Sequence, residues 1–329
     1  MRISIFGLGY VGTVSLACLA RDGHHVIGVD IDASKLAMLR DGCSPIVEVG
    51  IRELVAEVVA SGRVEVTDDV AAAVHGSELS FICVGTPARP NGSQDLRALE
   101  GLGIQLGRAL ATKSAPHVIV VRSTVLPGTV DGVFAPLVET HSGRRRGDGF
   151  DICFQPEFLR EGTSIRDYDA PPFTVIGAES DRPVSQLREL FGELPCTFVV
   201  CAVRSAEMLK YACNAFHALK ISFANEVGRI CQALEIDAHA VMDLVCLDTQ
   251  LNISTAYLRP GFAFGGSCLP KDLRALLHAA ARRDVDVPLL SGVRESNETQ
   301  LRHGIHTVLA TGATSVGMLG LSLDRKSVV

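Results

Sequence analysis

The chain has 329 residues, about twice a typical domain of ~150, so two domains are the starting expectation. Its formal net charge of −6 argues against nucleic acid or an anionic membrane as the main partner. Hydrophobic residues at 47% and charged residues at 21% exclude a disordered chain, and the absence of Trp leaves little for a base-stacking surface.

Residues 2–6 (RISIF) form a short β-rich run without a turn residue. Gly7-Leu8-Gly9-Tyr10-Val11-Gly12 follows, then a helical stretch to about Asp22, then a second strand at 25–30 ending in Asp30. Strand, G-x-G-x-x-G, helix, strand and acid in this order form a dinucleotide-binding signature. Gly7 permits the tight turn, Gly9 lets the backbone approach a pyrophosphate, and Gly12 allows close helix–strand packing. The helix N-terminus favours the phosphate charge. An acid at position 30 would repel a 2′-phosphate, so the spacing points to NAD rather than NADP.

Residues 3–20 carry no charge and follow Arg2, imitating a signal peptide, but their glycines suit a soluble motif better than an apolar helix. No other stretch approaches the ~20 apolar residues of a membrane span. The ten cysteines include no C-x-x-C pair, and Cys18, Cys83, Cys153, Cys213 and Cys231 lie in apolar runs. That scatter argues against structural zinc or any other metal, and against a secreted disulfide framework. The expectation is a reduced, cytoplasmic protein with mostly buried thiols.

The strand–helix alternation continues through 79–84, ending in Gly85-Thr86-Pro87, and through 118–122, ending in Ser123 to Thr129. A further strand at 151–154 leads into Gln155 to Gly162. Such alternation predicts a parallel sheet wound on both faces, with ligands beyond the strand C-termini, where these three loops fall.

The pattern changes near residue 203. A long helix over 204–236 is too apolar for a solvated one, so burial, including burial against a partner chain, is expected. Lys210, Asn214, His217, Ile221 and Asn225 recur at helical steps and share one face. Polar groups on a buried helix must be satisfied or must bind something. Taken alone, His217 reads as a satisfied core residue; taken as a set, the stripe reads as a site. Further helices are predicted from Asp237, near 269–283 and near 288–309.

Residues 251–272, LNISTAYLRPGFAFGGSCLPKD, are the sharpest local signal. Gly265 and Gly266 leave room for a substrate beside Cys268, with Pro270 at a first helical turn and Lys271 nearby. A thiol at a helix N-terminus beside a cation gains thiolate character, which suits a nucleophile.

Together these pieces resemble the UDP-glucose/GDP-mannose dehydrogenase family. The resemblance rests on GLGYVG, Asp30-Ile31-Asp32 with Lys35, Val84 to Pro87, Ser123 to Thr129, Pro156 to Gly162, the Lys210/Asn214 helix and Gly265 to Asp272. PGFAFGGSCLPKD and NAFHALKISFANE are most similar to the branch that oxidises GDP-mannose for alginate synthesis. The resemblance implies an N-terminal Rossmann-like doubly wound domain (1–202) and an all-helical central dimerisation and substrate domain (203–310). It implies a four-electron oxidation of a sugar C6 alcohol to an acid, consuming two NAD+. Cys268 would attack the aldehyde to give a thiohemiacetal, then a thioester that water hydrolyses. Lys210 and Asn214 would stabilise oxyanion charge, Glu161 with Thr124 and a water would move protons, and Asp272 would support the cysteine. Cofactor contacts would come from Tyr10, Val11, Asp30, Lys35, Thr86, Thr124 and Lys271. Substrate contacts would come from Glu161, Lys210, Asn214, His217, Asn225, Tyr257, Arg259, Phe262 and Gly265. A homodimer through the central helices is implied as well.

Family members continue into a second nucleotide-binding domain. Here 315–322 reads as that domain's first strand, and Asp324 stands where the family carries a nucleotide-sugar lysine. Residues 311–329 are therefore expected to be a truncated start of a C-terminal Rossmann-like domain, missing except for its first strand. Competing readings are a UDP-glucose 6-dehydrogenase, a two-electron hydroxyacid dehydrogenase that would not need the Gly-Gly-Ser-Cys loop, and an inactive NAD-binding, dimerising fragment.

Overall fold

The computed structural model describes residues 1–91, 93–254, 257, 262–265 and 269–317, except the Lys271 side chain. Arg259, Cys268, that lysine side chain and most of the expected last strand (318–322) lie outside the described residues. Met1–Cys213 forms one compact unit and Asn214–Val329 a second.

The first unit runs β1 (Arg2–Phe6), α1 (Tyr10–Arg21), β2 (His25–Val29), α2 (Ala33–Arg40), α3 (Ile51–Ala60), β3 (Val64–Thr67), α4 (Val70–His75) and β4 (Leu79–Ile82). It continues with α5 (Arg97–Thr112), β5 (His117–Val121), a π turn (Val130–Phe134) leading into α6 (Ala135–Ser142), β6 (Phe150–Phe154), α7 (Ser164–Asp169), β7 (Phe173–Gly177), α8 (Asp181–Phe191) and β8 (Thr197–Cys201). The strands form one sheet in the order β3-β2-β1-β4-β5-β6-β7-β8. The first six are mutually parallel and place their C-terminal ends along one edge. The expected parallel sheet departs at its far side, where β7 runs antiparallel to β6 and β8 follows β7. Between β6 and β7 lie a loop and the six-residue α7 instead of a full crossover helix, so the chain returns antiparallel.

Period-two alternation builds two cores. Ile3, Ile5, Leu79, Phe81, Val118 and Val120 face a cluster with Leu16, Leu19, Leu39, Val55 and Leu187. Phe6, Ile82, Ile119 and Val121 face the other cluster, with Val74, Leu99, Leu106, Phe134 and Val138. Burial on both faces explains why these strands read as near-continuous apolar runs. One polar chain crosses the second face. Lys113 Nζ donates to the carbonyls of Val74 (2.7 Å) and Ser77, and to His117 Nδ1 (2.9 Å). An ammonium only donates, so the His117 proton sits on Nε2, which meets Ser80 Oγ at 2.7 Å. Ser80 passes the chain to Ser4 Oγ at 2.7 Å.

α9 (Val203–Ala233) begins in the first unit and continues into the second, followed by α10 (Ala238–Leu247), α11 (Leu269–Ala281) and α12 (Pro288–Ala310). Ile230, Ala280, Val287 and Leu290 form the second unit's small core. Buried Glu226 accepts the Leu289 and Leu290 N–H groups (2.6 and 2.9 Å), satisfying two donors that the start of α12 leaves without helical partners. The expected burial of the long helix is found only toward its ends: residues 214–223 are exposed on every side, including Phe216, Leu219, Ile221 and Phe223. His217 is accordingly exposed, which corrects its reading as a satisfied core residue.

Candidate active site

The β1–α1 turn sits where the strand order reverses, between β1 and β4. Gly7 is held at φ +93°, and a Cβ there would stand 2.8 Å from the Cys83 carbonyl oxygen. A Cβ on Gly12 would overlap the Gly7 carbonyl oxygen. Both glycines are demanded by the protein's own packing. Gly9 differs, because a Cβ there would meet no atom within 4 Å. The fold itself does not demand glycine at this position, and a pyrophosphate approaching the start of α1 would.

Asp30 follows β2 and is nearly buried, its side chain 8% exposed. Its Oδ2 accepts the Leu8 N–H at 2.7 Å, its Oδ1 accepts the Asp32 N–H at 2.9 Å, and Lys35 Nζ lies 3.4 Å from Oδ2. The carboxylate is thus fixed beside the glycine turn, where ribose recognition places an acceptor. Ile31, wholly exposed, offers an apolar surface next to it. Tyr10 and Val11 occupy the first turn of α1, both partly buried. The Tyr10 hydroxyl donates to the Glu48 carboxylate.

The loop after β5 is clamped from three sides. The Thr124 carbonyl accepts from Thr86 Oγ1 (2.6 Å) and Gln94 Nε2 (3.1 Å), while Gln94 Oε1 accepts the Leu126 N–H (3.1 Å). Buried Glu207 accepts the Gly128 and Val130 N–H groups at 2.5 and 2.9 Å. Burial pushes its carboxyl upward, against the pull of those two amides.

The loop after β6 carries Glu161, which is exposed. Lys210 is buried; its Nζ meets Glu157 Oε1 at 2.9 Å and the Glu157 carbonyl at 2.6 Å. Two of its three protons are thereby committed, and Nζ also lies 5.3 Å from the centroid of the Phe158 ring. Burial pushes the Cys83 thiol up to about 12 and raises Cys213. Neither is a nucleophile near neutral pH.

In the second unit Asn214, Asn225, Asp272 and Gly265 are exposed. Tyr257 is held at φ +62°, a left-handed conformation that costs roughly 1 kcal/mol for a non-glycine residue. Phe262 packs over Gly304 of α12 so closely that a Cβ there would collide with its ring. Asn297, also on α12, pairs with the Phe264 backbone twice: Oδ1 accepts its N–H at 2.8 Å and Nδ2 donates to its carbonyl at 2.9 Å.

Sequence reasoning passed over Glu48, Gln94, Glu157, Glu207, Asn297 and Gly304. Glu48, Gln94, Glu207, Asn297 and Gly304 meet backbone or a ring across a long sequence separation, and Glu157 pairs with Lys210 more than fifty residues on, so no local spacing marks them. Glu157 alone lay inside a quoted motif, Pro156 to Gly162.

Comparison with known proteins agrees with this arrangement. Residues 1–195 match the UDP-glucose/GDP-mannose dehydrogenase family, NAD binding domain, and residues 204–299 match that family's central domain. The chain is 48% identical to a GDP-mannose 6-dehydrogenase of Pseudomonas aeruginosa over 98% of its own length and 74% of the relative's. A UDP-glucose 6-dehydrogenase of Bacillus subtilis is 37% identical, over 98% of this chain and 69% of the relative. A crystal structure of a ternary complex of GDP-mannose dehydrogenase from Pseudomonas aeruginosa superposes with a TM-score of 0.97 at 48% identity, covering 98% of this chain and 74% of that one. With its NAD cradle built as the family's matched domain requires, the chain belongs to the UDP-glucose/GDP-mannose dehydrogenase family.

Proposed function

We propose that this chain oxidises the C6 alcohol of GDP-mannose to the carboxylate, giving GDP-mannuronate, an alginate precursor, in the cytoplasm and as a homodimer. The observation that carries the reading is the dinucleotide cradle, in which Gly9 has no packing reason to be glycine and Asp30 is a fixed, nearly buried acceptor. The ordering of substrates rests on similarity: 48% identity to the GDP-mannose relatives against 37% to the Bacillus UDP-glucose relative. The exposed apolar residues Phe216, Leu219, Ile221 and Phe223 of α9 support a second copy packing along that helix.

NAD+ supplies the hydride acceptor, and alcohol to acid requires two such transfers. The start of α1 and the Gly9 backbone hold the pyrophosphate, and Asp30 holds a ribose hydroxyl. Glu161, with Thr124 and a water, takes the proton from the sugar hydroxyl. Lys210 and Asn214 stabilise negative charge on the C6 oxygen. Cys268 attacks the aldehyde carbon through sulfur, keeping the half-oxidised sugar bound until a second oxidation gives a thioester. Water cleaves that thioester and releases the acid. His217, Asn225, Tyr257, Arg259, Phe262 and Gly265 are proposed to contact the substrate, and Lys35, Thr86 and Lys271 the cofactor. Asp272 is proposed to support Cys268.

The test is Cys268→Ser assayed for acid formation by mass spectrometry. Loss of the acid on the order of 10³-fold or more is expected; an unchanged yield would refute the covalent route.

A further inference from the structure

The loop after β6 is held through its backbone by three carboxylates. Glu157 accepts the Leu159 N–H through Oε2 at 2.8 Å. Asp167 accepts the Arg160 N–H at 3.0 Å and pairs with the Arg160 guanidinium at 2.6 Å. Glu48 accepts the Gly162 N–H at 2.7 Å. The Arg160 carbonyl accepts the Thr163 N–H at 3.0 Å, which holds the Arg160–Glu161 peptide, and Glu48 holds the Glu161–Gly162 peptide, while the Glu161 side chain itself stays exposed. Gly162 turns at φ +87°, a left-handed conformation that favours glycine.

Glu48 belongs to the segment between α2 and α3. Its neighbours Val47 and Val49 are 100% and 75% exposed, and only Ile46 before them packs, partly buried, against the core. The same Oε2 that takes the Gly162 N–H also accepts the Tyr10 hydroxyl, on the first residue of α1. Burial opposes the Glu48 charge, but the hydrogen bonds from Tyr10 and Gly162 outweigh it and hold the carboxyl below its usual range. One oxygen atom therefore links the cofactor helix to the loop carrying the proposed acid/base.

We propose that Glu48 is a positioning residue of the reaction: its carboxylate fixes the Glu161–Gly162 peptide against the first turn of α1 and so sets where the Glu161 side chain is presented. This rests on the reading of Glu161 as the group that moves protons. Glu48 touches neither substrate nor reacting atoms in this account, and it acts through Glu161.

The test compares Glu48→Ala, Glu48→Gln and Glu161→Gln in the full chain. Misplacing a catalytic group by about 1 Å can cost on the order of 10²-fold in rate. Glu48→Ala is expected to lower kcat on that order while KM for GDP-mannose moves less than ~3-fold, and to speed deuterium exchange in a peptide spanning 159–163. Glu48→Gln keeps an oxygen that accepts both bonds and is expected to restore most of kcat and of the exchange protection. Glu48→Asp, one methylene short, replaces the alanine variant should that one not fold, with the same expected split. An unchanged kcat in Glu48→Ala, a change confined to KM, or no recovery in Glu48→Gln would overturn the proposal. Should Glu161→Gln collapse activity while Glu48→Ala does not, only this inference fails. Should Glu161→Gln retain full activity, the acid/base reading fails and Glu48 loses its role with it.

Discussion

Asp30→Asn isolates the charge proposed to select NAD over NADP. The aspartate accepts two backbone N–H groups, from Leu8 at 2.7 Å and Asp32 at 2.9 Å, and faces Lys35 Nζ at 3.4 Å. Asparagine keeps one acceptor oxygen, and its NH2 group must then face the other N–H donor. Losing one charge-assisted bond and opposing two donors at an 8% exposed site costs roughly 1.5–3 kcal/mol. That cost falls on folding, as a lowered melting temperature. Separately, the ribose of NAD loses its anionic acceptor, which is expected to weaken binding roughly 10- to 100-fold, at about 1.4 kcal/mol per tenfold. NADP binding is expected to weaken far less or to improve, because the repulsion of its 2′-phosphate is gone. Isothermal titration with both cofactors measures the ratio directly. Unchanged preference for NAD over NADP in Asp30→Asn would refute the assignment of discrimination to this carboxylate.

Other outcomes follow from the same geometry. Gly12→Ala drives a methyl into the Gly7 carbonyl oxygen; loss of NAD binding together with a destabilisation of about 1–3 kcal/mol in a denaturant titration is expected. His117 is held neutral to about pH 3 by burial first and by Lys113 second. The unfolded chain takes up that proton near 6.5, so stability should fall as pH drops from ~6.5 toward ~3, by up to ~1.4 kcal/mol per unit. His117→Gln should flatten that slope in melting curves, and an unaltered slope would count against the assignment. Gly304→Ala unseats the Phe262 ring, so KM for the sugar nucleotide should rise with little change in NAD affinity; equal effects on both would contradict a substrate-side role for Phe262.

The sheet and its cofactor turn were legible because their signals are local: period-two apolar runs, three glycines at fixed offsets and an acid ending the second strand. The reversal of β7 left no such mark, since strand direction depends on how residues 155–172 fold between two strands. The long helix was legible as a helix from its length without Pro, whereas the exposure of residues 214–223 was not, because an apolar stretch does not record which of its turns the chain's own core covers. The side chains that orient these loops were illegible for a further reason. Glu48 meets Gly162, Gln94 meets Leu126 and Glu207 meets Gly128 only after the chain has folded, and each targets an amide that every residue type offers.

The central claim is a double oxidation at one carbon. Counting NADH formed per GDP-mannose consumed, with the product identified by mass spectrometry, tests it most directly. The account predicts two NADH and a uronic acid; one NADH with an aldehyde or ketone product would contradict it.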